Sequence, residues 1–178
     1  MFFIKIYVHK IISYDLINTF FYKDLKEIPR LKKIILNFGY QKSNFKYLIS
    51  SLLALEFLTS KKGKITTSRR LNIFLKIKKG NPVGCKIILK KDIMYLFYLK
   101  LLIALFSKIK QSQTSQFQWD STIIKFVSFQ IRSPLLFSDL ENQFQFFKNI
   151  PRLDITLLTN TNSQKELYFL LKSIKFTL

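Results

Sequence analysis

The stretch SRRLNIFLKIKKGNPVGCKIILKK, residues 68–91, mixes many basic residues with apolar ones and contains no acidic residue. A Gly-Asn-Pro turn signal at positions 80–82 divides it into two parts. Before the turn, residues 75–78 alternate between apolar and basic side chains, and residues 85–90 largely repeat the pattern after it. An alternation with period two is typical of a half-buried strand. The stretch therefore predicts a hairpin, or an extended loop between strands, whose basic side chains point to solvent.

The positive charge is concentrated in one part of the chain. The 178 residues carry a formal net charge of +20, of which residues 1–110 contribute +18 and residues 111–178 only +2. Eleven Lys or Arg residues and no acidic residue lie between Lys61 and Lys91. Because repulsion among so many like charges disfavours a compact state, this asymmetry indicates a surface that faces a polyanion.

The composition indicates one folded domain without catalytic motifs. A hydrophobic fraction of 48% and an aromatic fraction of 16% are too high for a disordered chain. Cys85 and His9 are the only residues of their kinds, so neither an internal disulfide nor a Cys/His zinc site is expected. The sequence lacks a phosphate-binding glycine loop. We therefore expect no enzyme activity, cofactor, metal or small-molecule substrate, although a carboxylate pair assembled by folding stays open.

The apolar segments do not predict membrane insertion. The N-terminal MFFIKIYVHK is too short and too interrupted by charge for a membrane span, and residues 93–106 are only fourteen residues long, with Lys100 among them. A peripheral protein of the membrane surface is an alternative that fits the charge and the Phe, Ile and Leu content. Such a protein needs a basic amphipathic helix, whereas the most basic region here alternates with the period of a strand.

Apolar spacing and turn residues predict nine elements in the order α-β-α-β-β-α-β-β-α. Helices are predicted over residues 4–20, 45–58, 92–106 and 163–174. Strands are predicted over residues 31–38, 64–67, 85–90, 123–131 and 153–157. Residues 75–78 alternate like a strand within the hairpin, or extended loop, that joins the central β-β pair. A loop is expected at residues 111–118, and Ser163 to Glu166 form a capping box. This order predicts an α+β fold in which a mixed sheet carries helices on one face and leaves the other face free.

Three motifs resemble one known family. They are PRLKKIILNFG (residues 29–39), LTSKKGKITTSRRLNIFLKIKKGNPVGCKIILKK (residues 58–91) and RLDITLLT (residues 152–159). In order and spacing they resemble large-subunit ribosomal protein five, the 5S rRNA-binding protein of the central protuberance. The resemblance extends along nearly the whole chain. Two departures are WDSTIIKFVS (residues 119–128) in place of a glycine-rich segment, and Pro151-Arg152 in place of Arg-Gly.

The resemblance implies three binding regions within a single ribosomal-protein domain. It divides the chain into an N-terminal helical segment (residues 1–27), a half that binds rRNA and tRNA (residues 28–110) and a C-terminal strand-helix half (residues 111–178). The free face of the sheet and the long basic hairpin loop would bind RNA. The residues expected to bind 5S rRNA and neighbouring large-subunit rRNA are Arg30, Lys33, Asn37, Thr66, Thr67 and Lys86.

The other two regions imply tRNA and protein partners. The basic loop is expected to contact P-site tRNA through Arg69, Arg70, Lys76, Lys78, Lys79 and Asn81. A small-subunit ribosomal protein is expected to contact Phe137, Asp139 and Glu141. The abundance of Lys, Phe, Ile and Asn, with only two Ala, is typical of an AT-rich genome, so the resemblance favours an organelle-encoded protein of the mitochondrial ribosome. If that organelle lacks 5S rRNA, another rRNA segment would take its place.

Overall fold

The structure of the protein is a computed structural model that describes residues 3–40, 45–109 and 125–174. The predicted loop at residues 111–118 and the start of the strand predicted at 123–131 lie outside these residues. The helices are α1 (Phe3–Ile6), α2 (Ser13–Thr19), α3 (Phe45–Thr59), α4 (Lys91–Ile109), α5 (Ser138–Glu141), α6 (Phe144–Phe147) and α7 (Gln164–Ser173). A π-helical turn (Tyr7–Ile12) joins α1 to α2, and a 3₁₀ turn (Pro134–Leu136) precedes α5. The strands are β1 (Leu31–Gly39), β2 (Lys64–Thr67), β3 (Pro82–Leu89), β4 (Phe126–Ile131) and β5 (Leu153–Thr159).

The five strands form one sheet in the order β2-β3-β1-β5-β4. The α+β class predicted from the sequence is confirmed, but all four described strand pairs are antiparallel, so the sheet is not mixed. Strand β1 lies at the centre, and both of its neighbours run against it. The strands that share its direction, β2 and β4, are each separated from it by one intervening strand, which leaves no parallel neighbours.

Helices cover one face of the sheet, and alternate strand residues are buried beneath them. On β1 the buried residues are Leu31, Ile34, Leu36 and Phe38, and Cys85, Ile87 and Leu89 continue this layer on β3. Helices α3 and α4 pack against these two strands. The residues between the buried positions keep part of their surface accessible to solvent. The alternation of Cys85, Ile87 and Leu89 with Lys86, Ile88 and Lys90 predicts this division, with Cys85 on the inward side.

The first and last helices follow their sequence signals closely. Val8, Ile12 and Leu16 are buried at a spacing of four, as the pattern at the N-terminus predicts. At the start of α7, the Ser163 hydroxyl accepts a hydrogen bond from the Glu166 N–H at 3.2 Å. The Glu166 carboxylate in turn accepts from the N–H of Asn162 at 3.0 Å, which completes the predicted capping arrangement.

Of the two alternatives for residues 75–78, the hairpin strand is wrong, and the loop between two strands is present. Strand β3 pairs instead with β2, and the 14 residues between them form a folded loop. Within this loop, Lys76 has φ = 53°, a left-handed conformation that no strand residue adopts. Gly80 has φ = 91°, so the predicted turn at Gly-Asn-Pro is present at the return of the loop. The apolar residues at the tip of the loop are consequently exposed rather than packed under a strand.

Candidate nucleic-acid interface

The open face of the sheet, opposite the helices, carries a row of polar side chains across all five strands. In strand order, the row consists of Lys64, Lys86, Asn37, Asp154 and Gln130. Each of these residues is the backbone register partner of the next. With a strand spacing of about 4.8 Å, the row is about 20 Å long. Such a row can contact several consecutive groups of an extended ligand.

A shallow depression of about 560 Å³ lies over the middle of this row. Its lining adds the hydroxyl groups of Thr66, Ser128 and Thr156 to the row. Together these side chains offer ammonium donors, amide donors and acceptors, and hydroxyls that serve as either. Single-stranded or splayed RNA presents the complementary groups, namely base edges, ribose 2′-hydroxyls and phosphates.

Asp154 gives the centre of the depression an acidic group. Burial raises the pKa of its carboxyl above the ordinary value, although nearby Arg152 and a hydrogen bond from Asn37 oppose this shift. Its buried Oδ1 atom has no hydrogen-bond partner in the described structure. Asn37 therefore lies between the carboxylate of Asp154 on β5 and the ammonium-bearing Lys86 on β3.

Most of the residues predicted to bind rRNA share this face. Lys33, Asn37, Thr66 and Lys86 lie on it, on the three adjacent strands β1, β2 and β3. Thr67 is exposed, and it follows an irregularity in the pairing of β2 with β3, so it does not continue the regular alternation. Arg30 precedes β1, where the side-chain oxygen of Asn160 accepts a hydrogen bond from its backbone N–H. Four of the six predicted rRNA-binding residues therefore lie together on the open face.

The prediction missed the other residues of the face. The residues that it did not name are Lys64, Ser128, Gln130, Asp154 and Thr156. The last four lie on β4 and β5, whose alternating patterns do mark them as pointing away from the core. Their place beside Asn37 depends on strand order, because residues more than 90 positions apart in the chain are paired there.

The loop between β2 and β3 presents all five of its predicted cations to solvent. Arg69, Arg70, Lys76, Lys78 and Lys79 are exposed, and none forms an ion pair within the described residues. Asn81 is partly buried, and its carbonyl accepts a hydrogen bond from the Ser68 N–H at 2.8 Å. Exposed cations without an acidic partner attract phosphate groups.

The residues predicted to meet a small-subunit protein have three different environments. Phe137 is buried at 3% exposure with its ring 6.0 Å from that of Phe97, so its side chain contributes to the core. Asp139 accepts a hydrogen bond from the Lys100 ammonium at 2.7 Å. Glu141 is exposed on α5. Of the three, Glu141 is the side chain that is both charged and fully accessible.

Neither a metal site nor reactive cysteine chemistry is evident in the parts of the chain that the structure describes. No group of three or more potential ligands among His, Cys, Asp and Glu occurs there. Cys85 is buried with its sulfur 3.0 Å from the Ser51 hydroxyl, and burial raises the pKa of its thiol, which disfavours the nucleophilic thiolate. Among these residues, no helix combines the length and the apolar character required to span a bilayer.

Known proteins that resemble the chain point to one family, although no family model matches it. The chain is 28% identical over 179 residues to large ribosomal subunit protein uL5m of Reclinomonas americana, covering 98% of this chain and 97% of that protein. It is 28% identical to uL5 of Blochmanniella floridana, covering 94% of this chain and 87% of the relative. It is 29% identical to uL5 of Wigglesworthia glossinidia brevipalpis, covering 89% of each. Matches over nearly the whole chain confirm the resemblance in the sequence motifs, and the homologues of the chain are ribosomal proteins named uL5 and uL5m.

Proposed function

We propose that the chain is a structural, non-catalytic protein of the large ribosomal subunit that binds rRNA through the open face of its sheet. The observation that carries this proposal is the row of five polar residues across the sheet, in a homologue of large-subunit proteins. Lysines at one end of the row suit phosphates. The amide, hydroxyl and carboxylate groups further along it suit bases and riboses.

We assign 5S rRNA, together with neighbouring large-subunit rRNA, as the ligand of this face. The family resemblance suggests 5S rRNA, and the chemistry of the face supports recognition of a non-helical segment. A regular A-form helix hides its base edges in a deep, narrow groove, whereas a loop or bulge can place bases in the depression beside Asn37. In an organelle without 5S rRNA, the same chemistry would accept another exposed rRNA segment.

The other two contacts follow from the loop and from α5. The five exposed cations of the loop between β2 and β3 support contact with the phosphates of P-site tRNA, since they provide affinity without reading sequence. The exposed carboxylate of Glu141 supports contact with a basic small-subunit protein across the interface. Because Phe137 is buried and Asp139 is paired with Lys100, Glu141 is the principal residue in this assignment.

The mitochondrial ribosome is the proposed location. One relative that matches 98% of the chain is uL5m of Reclinomonas americana, and the composition is rich in residues encoded by AT-rich codons. Bacterial relatives match at similar identity. The proposal of a mitochondrial location therefore rests on the amino-acid composition more than on the sequence identities to the relatives.

Crosslinking in the native ribosome tests the rRNA assignment. The chain, carrying an affinity tag in its own organism, is crosslinked to RNA, and the bound RNA is sequenced. We expect 5S rRNA, or a defined segment of large-subunit rRNA in its absence, with crosslinks on β1 and β3. Recovery of small-subunit rRNA alone, or of membrane lipid without RNA, would contradict the proposal.

A binding assay with the purified chain then tests how much individual residues of the sheet face contribute to RNA binding. We expect Asn37→Ala and Lys86→Ala each to weaken binding of the RNA recovered by crosslinking by about tenfold, as for loss of one good hydrogen-bonded contact. The control is Lys172→Ala, which removes the same charge from an exposed position on α7, in the helical layer. Equal weakening by Lys172→Ala and Lys86→Ala would show that net charge, rather than the sheet face, determines binding.

A further inference from the structure

We propose that the tip of the loop between β2 and β3 is a stacking platform for a nucleobase, with Phe74 as the stacking side chain and Ile73 beside it. The proposal rests on the proposed contact between this loop and RNA, and it adds a second kind of interaction. The cations hold phosphates, whereas the tip packs on the flat face of a base that a structured RNA leaves unstacked.

The tip exposes large apolar side chains to water. Phe74 is 99% exposed and Ile73 is 78% exposed, and Leu71 beside them is 62% exposed. A single exposed apolar residue is ordinary on a protein surface. A contiguous apolar group at the outermost point of a basic loop instead marks a site where another surface covers it.

Hydrogen bonds hold the tip in one shape before any partner arrives. The backbone N–H groups of Asn72 and Ile77 each donate to the carbonyl of the other, at 2.9 and 3.0 Å. The Leu75 N–H donates to the side-chain oxygen of Asn72 at 3.2 Å, and the Lys76 N–H donates to the Ile73 carbonyl at 3.1 Å. These bonds close a tight turn with Ile73 and Phe74 at its apex. An ordered apex loses little conformational freedom on binding.

The base of the loop is also closed. The Gly80 N–H donates to the carbonyl of Ser68 at 2.9 Å, and the Ser68 hydroxyl donates to the carbonyl of Arg70 at 2.6 Å. Ile77, the partner of Asn72 in this turn, is only 5% exposed. Hydrogen bonds therefore hold the loop both at its base and next to its tip.

The surrounding charge identifies the partner as nucleic acid. The exposed cations Arg69, Arg70, Lys76, Lys78 and Lys79 flank the apolar apex in the chain, and no acidic residue occurs between Lys61 and Lys91. A structured RNA presents phosphates and the apolar faces of unstacked bases within a few ångströms of each other. Aromatic side chains inside basic surfaces bind single-stranded or splayed bases in this way. An anionic membrane offers phosphates too, but membrane binding is driven by the apolar face of a helix, and this apex provides only a few side chains.

The test compares the dissociation constant of the full chain for an unmodified tRNA transcript at several KCl concentrations. We expect Phe74→Ala to weaken binding by about tenfold at every concentration, with an unchanged salt dependence, because stacking neutralises no phosphate. Lys76→Ala is expected instead to lower the slope of log K against log [KCl] by about one. Phe74→Trp should restore binding, whereas Phe74→Leu, which is apolar but not aromatic, should restore it only in part.

Two controls separate stacking from other effects. Phe146→Ala removes an aromatic side chain that is 72% exposed on α6, and it should leave tRNA binding unchanged. Phe74→Trp is also made in a chain whose only tryptophan, Trp119, is replaced by Phe. Its fluorescence should be quenched by tRNA and unaffected by vesicles of phosphatidylglycerol and phosphatidylcholine. A blue shift with vesicles, without quenching by tRNA, would overturn the proposal in favour of membrane contact.

The outcomes distinguish this inference from the proposed function. If Phe74→Ala binds tRNA as well as the unsubstituted chain while Lys76→Ala binds more weakly, the stacking platform is refuted and the cationic contact stands. If neither substitution changes binding, the proposed contact between the loop and tRNA fails as well.

Discussion

At the residue scale, Asp154 is the acidic member of a row that otherwise carries lysines and amides. Its carboxyl accepts a hydrogen bond from Asn37, while its Oδ1 atom is buried without a partner in the described structure. A buried carboxylate with an unused oxygen destabilises the isolated protein. A donor from RNA, such as a base amino group or a ribose hydroxyl, would relieve this cost in the complex.

The Asp154 environment predicts a pH-dependent gain of stability on substitution with asparagine. Because burial raises the pKa of this carboxyl in the folded state, the native protein binds its proton more tightly than the unfolded chain does. The stability of the protein therefore falls as the pH rises through the window between the two pKa values. Asp154→Asn removes this ionisation and should stabilise the free protein at pH 7 by about 0.5 kcal/mol, a small value because the group is partly exposed to solvent.

Thermal unfolding at several pH values measures this effect. The gain in Tm of Asp154→Asn should be present at pH 7 and vanish only below about pH 3, where aspartate is protonated in both the folded and the unfolded state. A variant that is less stable than the original protein at pH 7, or a difference that does not depend on pH, would contradict the assignment.

Gly84 and Gly39 are register partners with opposite tolerance to a side chain. A Cβ atom on Gly84 would lie 2.3 Å from the Phe38 carbonyl oxygen and 3.0 Å from the Thr66 hydroxyl, whereas a Cβ on Gly39 meets nothing within 4 Å. We expect Gly84→Ala to lower the free energy of unfolding by about 2–3 kcal/mol, since β1 and β3 must separate. Gly39→Ala should change it by no more than about 0.5 kcal/mol. Denaturant titrations of the two variants check this, and equal costs would contradict the close approach at Gly84.

At the element scale, the structure corrects two readings of apolar periodicity. The alternation at residues 75–78 resembles a strand, but it is only four residues long, and local hydrogen bonds fold it into a turn. In α4 the helical spacing of Tyr95, Leu96, Leu99, Leu102, Ile103 and Phe106 predicts that these residues form the core face. Tyr95 is buried as predicted, but Leu99 and Ile103 are exposed, while Phe97, Tyr98 and Leu101 are buried. The side chain of Phe106 lies outside the described residues. A helix that is apolar on all sides does not reveal from its sequence which side faces the sheet.

The cations of the loop between β2 and β3 are predicted to serve the tRNA contact and not the assembly of the large subunit. We expect the triple substitution of Lys76, Lys78 and Lys79 with Ala to weaken tRNA-dependent translation while the protein still assembles into the large subunit. The physical reason is that these cations are exposed and separate from the row on the open face of the sheet. Sucrose-gradient profiles of ribosomes measure assembly, and puromycin reactivity of P-site tRNA measures the contact. A variant that fails to enter the large subunit would refute this division of labour.

At the scale of the whole molecule, the net charge of +20 predicts that salt has opposite effects on stability and on binding. Without RNA, raising KCl from about 0.1 M to about 1 M shortens the Debye length from about 10 Å to about 3 Å and screens the repulsion among the cations. We therefore expect Tm to rise with salt in the free protein. A Tm that falls steadily over this range would contradict the prediction.

The same salt should weaken RNA binding. Neutralised phosphates release counterions, so log K falls linearly with log [KCl], and each lost phosphate contact lowers the slope by about one. The binding isotherms of the 5S rRNA complex at four or more KCl concentrations give this slope. An affinity that did not change with salt would refute an electrostatic interface.

The sequence by itself determined the class of fold, the order of elements, the inward position of residues such as Cys85 and the concentration of charge between Lys61 and Lys91. These properties are local, because alternation, helix caps and net charge depend on neighbours in the chain. Only the tertiary structure decided which polar residues lie together. Asn37 meets Asp154 because β5 pairs with β1 across more than a hundred residues, and Phe74 is exposed because backbone hydrogen bonds fold the loop around Asn72 and Ile77. Strand pairing and the path of a loop depend on contacts distant in sequence, and no local pattern specifies them.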